Sequence, residues 1–380
     1  MLSKKYIKLD NKFDDLRPYN DNEVNNGLKK IVENKYFPAI VKYLFPERTV
    51  QEVIDELLQV HSAFDFQKKF MHGAIRSIVK QTSDGLSFGG FENLKLDESY
   101  LFIANHRDIL LDSAIMQVLL VEHGLETSEI SFGSNLMMNP FVIEAGKVNR
   151  MFKVERSINS KESLLMSKKL SEYILHTITE KHLSVWIAHR KGRAKNGFDK
   201  TDTVILKMLE MANNNDFTTH FKTLKLIPVT ISYEYEPCGK YKVNELYQSL
   251  SSQYVKKPGE DLNSILKGIT EYKGRIHLQM GTPIVQELDI LEEIKNKNEK
   301  YKILSELVDT QIYQNYKLWP TNYIAYDLLT NENKFPKNYT KSEKEKFITI
   351  MNSELDSIKI NNTDSVKIYL EMYANPVKNC

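Results

Sequence analysis

Residues 100–112, Tyr100-Leu101-Phe102-Ile103-Ala104-Asn105-His106-Arg107-Asp108-Ile109-Leu110-Leu111-Asp112, hold an apolar run that ends in a histidine and two acids. The run from Tyr100 to Ala104 fits a buried strand. The apolar positions 109, 110, 111, 114, 115, 116 and 118 to 121 predict a helix from about Ile109 to His123, buried on most sides. Asp112 then falls near a buried face, where an unpartnered carboxylate is costly, so it is expected to pair with a cation or a histidine. His106 is near. A histidine held by a carboxylate can take a proton from a hydroxyl, because the acid fixes the tautomer and stabilises the imidazolium that forms. Two plainer readings stand beside this one: Asp108 as the N-cap of the helix, and His106 with Asp112 as a purely structural hydrogen-bonded pair.

The strand-then-helix pattern recurs along the chain. Strand-like runs cover Ile130 to Gly133, Val148 to Val154, Leu183 to Ala188, Leu224 to Tyr233 and Arg275 to Met280, with helical patterns at 160–181, 202–213 and 286–316. Residues 1 to about 85 look helical, with Val50, Val53, Ile54, Leu57 and Leu58 on one stripe. The segment just before Tyr100 opens on a Gly-Gly turn and continues as a polar loop. The tail from 318 begins WPTNYIAYDLL, passes through a stretch rich in Asn and Lys, and ends in two helical segments. Together these predict an α/β fold, a mixed, largely parallel sheet flanked by helices, with N-terminal and C-terminal helical extensions. The expected division is an accessory helical region at 1–90, a core domain at 91–290 and a helical extension at 291–380. In such sheets the site lies at loops leaving the strand ends.

Composition narrows the classes. The chain has 380 residues, 41% of them hydrophobic, enough to bury a large core. Charged residues make up 27% and the net charge is +2, which gives no global case for nucleic acid. Two cysteines, Cys238 and Cys380, make no disulfide framework or zinc cluster, so a cytoplasmic protein is expected. No secretory signal and no run of roughly 18 apolar residues is seen, so any membrane association is expected to be peripheral. Tyr36 to Phe45 (YFPAIVKYLF), flanked by Lys and Arg, has the makeup of an interfacial segment or, more plainly, of a core helix.

A second informative stretch runs from Val185 to Lys195, VWIAHRKGRAK, an apolar strand opening into a basic loop around one glycine. Gly192 permits close backbone approach, Arg193 can grip a phosphate through two hydrogen bonds, and a following helix N-terminus near Thr201 favours negative charge. A solvated basic turn is the plainer reading. Between the two stretches, Gly146 to Arg156 (GKVNRMFKVER) alternates apolar and polar residues and ends in arginine.

In order, these blocks resemble those of the glycerolipid acyltransferase family, the glycerol-3-phosphate and 1-acylglycerol-3-phosphate acyltransferases. Asn105, His106 and Asp112 resemble the family's Asn-His followed by Asp. Gly146, Phe152 and Arg156 resemble its second block. Trp186 through Arg193 is similar to the third, and Leu226 through Ile231 to the fourth with its Ile-Pro-Val. Met280 to Ile284 is similar to the closing strand and turn, so the resemblance covers about residues 95 to 285. It implies an O-acyltransferase of phospholipid biosynthesis that moves a fatty acyl group from acyl-CoA or acyl carrier protein to the hydroxyl of lysophosphatidate. It implies no metal and no bound cofactor. The catalytic group is then His106 with Asp112, or Asp108, as its acid, and the substrate-binding set is Asn105, Arg107, Phe152, Arg156, Arg190, Lys191, Gly192 and Arg193. The expected setting is the cytoplasmic face of the membrane.

Two positions depart from the family. Five residues, where four are usual, separate His106 from Asp112, which keeps Asp108 open as the partner. Lys191 stands where the family usually has Glu, so glycerol-3-phosphate or a lyso-aminolipid remain alternative acceptors. A non-catalytic lipid-binding or scaffold protein of the same fold is the alternative of another class.

Overall fold

The computed structural model describes residues 11–137, 139–155 and 160–379. Seven strands form one sheet: β1 (Gly85–Gly89), β2 (Leu101–Ala104), β3 (Glu129–Gly133), β4 (Met151–Val154), β5 (Val185–Ala188), β6 (Leu226–Tyr233) and β7 (Arg275–Met280). Their order is β1-β7-β6-β2-β5-β3-β4. Every neighbouring pair is parallel except β6 with β7. The fold is thus α/β with a mixed, mostly parallel sheet, as the alternation of strands and helices predicts.

The sheet is covered on both faces, and alternation along the central strands divides their side chains. Phe102 and Ala104 of β2 join Trp186, Val229 and Ile231 in one cluster, closed by Leu111, Ile115 and Leu119 of the Leu111–Glu122 helix. Leu101 and Ile103 face the other way with Phe152, Val185 and Ile187. That second cluster is closed by Tyr173 of the Ser160–Thr179 helix and by Leu304, Val308 and Ile312 of the Lys297–Gln314 helix. Burial on both sides is why these strands read as unbroken apolar runs.

Two strands differ from expectation, and the helical pattern expected at 286–316 is a short turn at Gln286–Leu291 followed by the Lys297–Gln314 helix. The stretch before Tyr100 contains β1, which pairs with β7 from Gly85↔Arg275 to Gly89↔Gln279. It is a short, half-exposed edge strand with a glycine at each end, so it lacks the apolar run that marks the inner strands. Val148 closes the Pro140–Val148 helix instead of opening a strand, and β4 begins at Met151 after a turn with Arg150 in the left-handed region.

The N-terminal helices Asp21–Val32, Phe37–Leu44 and Val50–Leu57 share their own cluster through Val24, Leu28, Phe37, Val41, Val53 and Leu57. The YFPAIVKYLF segment therefore turns its apolar side inward. At the far end, Pro320–Thr330, Lys341–Ser357 and Thr363–Asn379 gather around Phe347, Leu355, Tyr369 and Tyr373, together with Tyr235 and Val243. No helix among the described residues is long and apolar enough to cross a membrane.

Candidate active site

His106 lies two residues past β2, and the same alternation that sends Ala104 toward the Leu111–Glu122 helix sends the imidazole there too. Its Nδ1 is 2.9 Å from Asp112 Oδ2, and its side chain is 14% exposed, so it can still be reached from outside. The same carboxylate oxygen accepts the backbone N–H of Arg107 at 2.6 Å and of Asp108 at 2.9 Å, and Oδ1 accepts the Tyr233 hydroxyl at 2.8 Å. A carboxylate so surrounded acts toward His106 as acceptor, which places the imidazole proton on Nδ1 and leaves the Nε2 lone pair to take another. The Trp186 ring meets the imidazole edge to face at 5.6 Å between centroids.

Asp108 does a different job. Its Oδ1 accepts the N–H groups of Leu110 and Leu111 at 2.9 and 2.8 Å, which caps the start of the helix. The capping turn takes up the fifth residue between His106 and Asp112, so the unusual spacing still brings the two together. Burial pushes the Asp108 carboxyl above its usual range, and the neighbouring Asp112 charge adds to it. A Cβ at Gly268 of the Glu260–Thr270 helix would sit 2.2 Å from Asp108 Oδ2, so this position admits only glycine without a shift.

The basic loop leaves β5, the strand next to β2, and is bound directly to the histidine's backbone: Ala194 N donates to His106 O at 2.8 Å. Gly192 turns the loop at φ +77°. Lys191 is exposed, Arg190 donates to Phe198 O at 3.2 Å, and Arg193 is half-buried, its Nη1 enclosed with no hydrogen-bond partner among the described residues. The positive charge of Arg193 is felt at both Asp108 and Asp261.

Of the other residues singled out in the sequence, Asn105 and Arg107 face the protein interior. Asn105 pins β2 to β6, accepting Ile231 N at 2.8 Å and donating to Ile231 O at 3.0 Å. Arg107, fully buried, bridges Asp199 and Glu236, while Lys242 Nζ donates to Glu236 at 2.6 Å and to Arg107 O at 2.7 Å. The backbone just after His106 is thus gripped from below. Phe152 lies on the opposite sheet face, 5.5 Å from the Tyr173 ring, and is not brought to His106. Arg156 lies outside the described residues.

The C-terminal helix reaches this region as well. Asn375 Nδ2 donates to Asn196 O at 2.8 Å, Glu236 N donates to the Tyr373 hydroxyl at 2.9 Å, and Gly197 meets the Met372 carbonyl so closely that a Cβ would lie 2.1 Å from it.

Sequence reasoning missed Tyr233, Asp199, Glu236 and Lys242. Tyr233 had a signal: it continues the 229, 231, 233 face of β6 to the strand end beside His106. The other three carry no periodic mark.

His189, at the end of β5, is wholly buried, with Nδ1 3.3 Å from Thr201 Oγ1. Burial pushes its imidazole down from 6.5 to about 4. The folded value lies below the unfolded one, so its contribution to stability is present above pH 6.5 and is lost as the pH falls through the window toward 4. Between pH 7 and 5 this one group is expected to cost about 2 kcal/mol. Urea denaturation at both pH values, compared with His189→Gln, checks it: the variant should lose less stability on acidification, and equal losses would rule the assignment out.

No family model and no curated protein matches this sequence. Among solved structures, the chain is similar to the 1-acyl-sn-glycerophosphate (LPA) acyltransferase, PlsC, from Thermotoga maritima. The match covers 77% of this chain and 97% of that one, at 14% sequence identity and a TM-score of 0.39. At that score the similarity carries no argument about chemistry.

Proposed function

We propose that this chain is an O-acyltransferase that moves a fatty acyl group from an acyl-CoA or acyl-carrier-protein thioester to the free hydroxyl of lysophosphatidate, with His106 as general base. One observation carries the reading: a histidine held through Nδ1 by a buried carboxylate, with a basic loop hydrogen-bonded to its own backbone. A proton acceptor and a cation-rich loop thereby lie on joined segments, which suits a phosphorylated alcohol as the acceptor.

In this reaction the acceptor hydroxyl gives its proton to His106 Nε2 as its oxygen attacks the thioester carbonyl. The tetrahedral intermediate then expels the thiolate, which takes the proton back from the imidazolium, leaving an ester and a free thiol. Asp112, steadied by Tyr233 and two backbone amides, stabilises the imidazolium in between. Arg193 faces the acceptor's phosphate.

The test is acyl transfer by the purified protein, offering palmitoyl-CoA and palmitoyl-carrier protein with lysophosphatidate, glycerol-3-phosphate or a lyso-aminolipid. Transfer to lysophosphatidate is expected; transfer only to another acceptor moves the assignment to that acceptor. If none is acylated with either donor, the catalytic reading fails and a lipid-binding role takes its place. Arg193→Ala should raise the acceptor KM by about 10- to 100-fold and leave the donor KM nearly unchanged, because one charge-assisted phosphate contact is lost. Equal effects on both would count against the phosphate role.

A further inference from the structure

The Glu260–Thr270 helix has an inner and an outer face of unexpected character. Inward it presents Ser264 and Gly268, and at Gly268 it touches Asp108. Outward it presents Leu262 and Leu266, one turn apart and 42% and 51% exposed. A surface helix ordinarily shows polar groups there. The segment leading into it adds Leu250, 65% exposed, and Val255, 78% exposed. Tyr254, donating to Glu260 at 2.8 Å, and Lys256, paired with Asp261 at 2.5 Å, fasten that segment to the first turn. Elsewhere the exposed large apolar side chains stand singly, apart from the adjacent Leu164 and Leu165 near the start of the Ser160–Thr179 helix, and the stretch at 36–45 buries Phe37 and Val41 as a core helix does.

The charges around this patch have one sign left over. Both acids of the helix's first turn are engaged, Glu260 by Tyr254 and Asp261 by Lys256 and by Asn135. Lys257 is exposed beside Val255. The loop from His189 to Phe198 contains Arg190, Lys191, Arg193 and Lys195 and no acid; Lys195 is ion-paired with Glu245 of the Gly239–Gln248 helix, which ties the loop to the element that runs into this segment, and Lys191 is exposed. Exposed leucines on a helix bordered by the exposed cations Lys257 and Lys191 are complementary to an anionic lipid surface, which offers apolar depth under a negative layer.

We propose that the outer face of the Glu260–Thr270 helix, with the segment before it, docks on an anionic phospholipid bilayer. The helix's inner face rests against Asp108, so docking there sets the approach to His106 beside the membrane. That link to catalysis rests on the acyltransferase reading; the lipid contact does not.

The test is flotation of the full chain with vesicles of phosphatidylcholine alone and with roughly a third phosphatidylglycerol. The protein is expected to float with the anionic vesicles and to be released by high salt. Leu262→Asp combined with Leu266→Asp should weaken binding by about tenfold or more, with an unchanged melting temperature and unchanged turnover of a short-chain, water-soluble acceptor. His106→Ala should float like the wild type, so vesicle binding without any acyl transfer sinks the enzyme reading alone. Wild-type protein that stays with neither vesicle, or a double variant that binds as well as wild type, overturns the proposal. So does a dimer, seen by light scattering, that the double variant dissociates without any change in flotation.

Discussion

Replacing His106 by alanine is expected to lower kcat for acyl transfer by about a thousandfold, with the KM values little changed and the fold intact. General base catalysis by a positioned histidine contributes about 10²- to 10⁴-fold, and here the imidazole is both oriented and charge-compensated by Asp112. The side chain removed is small and partly exposed, and its neighbour Trp186 stays anchored in β5, so melting should shift little. Asp112→Asn separates orientation from charge. The amide can still meet Tyr233, but it cannot serve the Arg107 and Asp108 amides and His106 as the carboxylate does, so kcat should again fall by about 10²-fold or more. Steady-state kinetics on both variants, beside circular dichroism, reads the result. Undiminished turnover in folded His106→Ala protein would remove the histidine from the reaction.

Replacing Arg107 by methionine should have the largest effect on stability, a loss of about 3–5 kcal/mol, because it strands buried charge. Arg107 joins Asp199 to Glu236 with its side chain 1% exposed. Without it Glu236 keeps Lys242, but Asp199 keeps only the Asn105 amide, at 3.1 Å, and its Oδ1 has no partner among the described residues. Arg107→Lys should recover part of the loss, since one ammonium cannot span both acids as a guanidinium does. Urea denaturation of the three proteins gives the comparison, and a methionine variant as stable as wild type would mean that the acids are not held by charge pairing.

The sequence shows the centre of the molecule better than its margins, and the reason is physical. Residues in the middle of the sheet are buried on both sides, so β2, β5 and β6 announce themselves as largely apolar runs; β7 shows instead as strict alternation, and β1, at the edge and half-exposed, shows neither signal. At the site, Asp112, set among apolar residues near the start of its helix, stands out because burial demands a partner. Its pairing with His106 across a five-residue gap depends on the capping turn at Asp108, which spacing alone does not reveal. Glu236 and Lys242 meet Arg107 from well over a hundred residues away, on segments whose local pattern serves other contacts. Arg107 itself shows the hazard of reading position as role: it follows the histidine directly, yet alternation turns its guanidinium inward to two acids.

The contacts of the C-terminal helix with Asn196, Gly197 and Glu236 also bear on how the protein comes into being. The nascent chain can lay down β2 and β5 early, but the loop after β5 and the grip on Arg107 gain their outer support only when residues 363–379 have emerged and docked. A ribosome that stalls before that point should release a chain with its sheet formed and its basic loop unsupported. Premature termination late in the message would then disturb the loop bound to His106 well before it abolished folding.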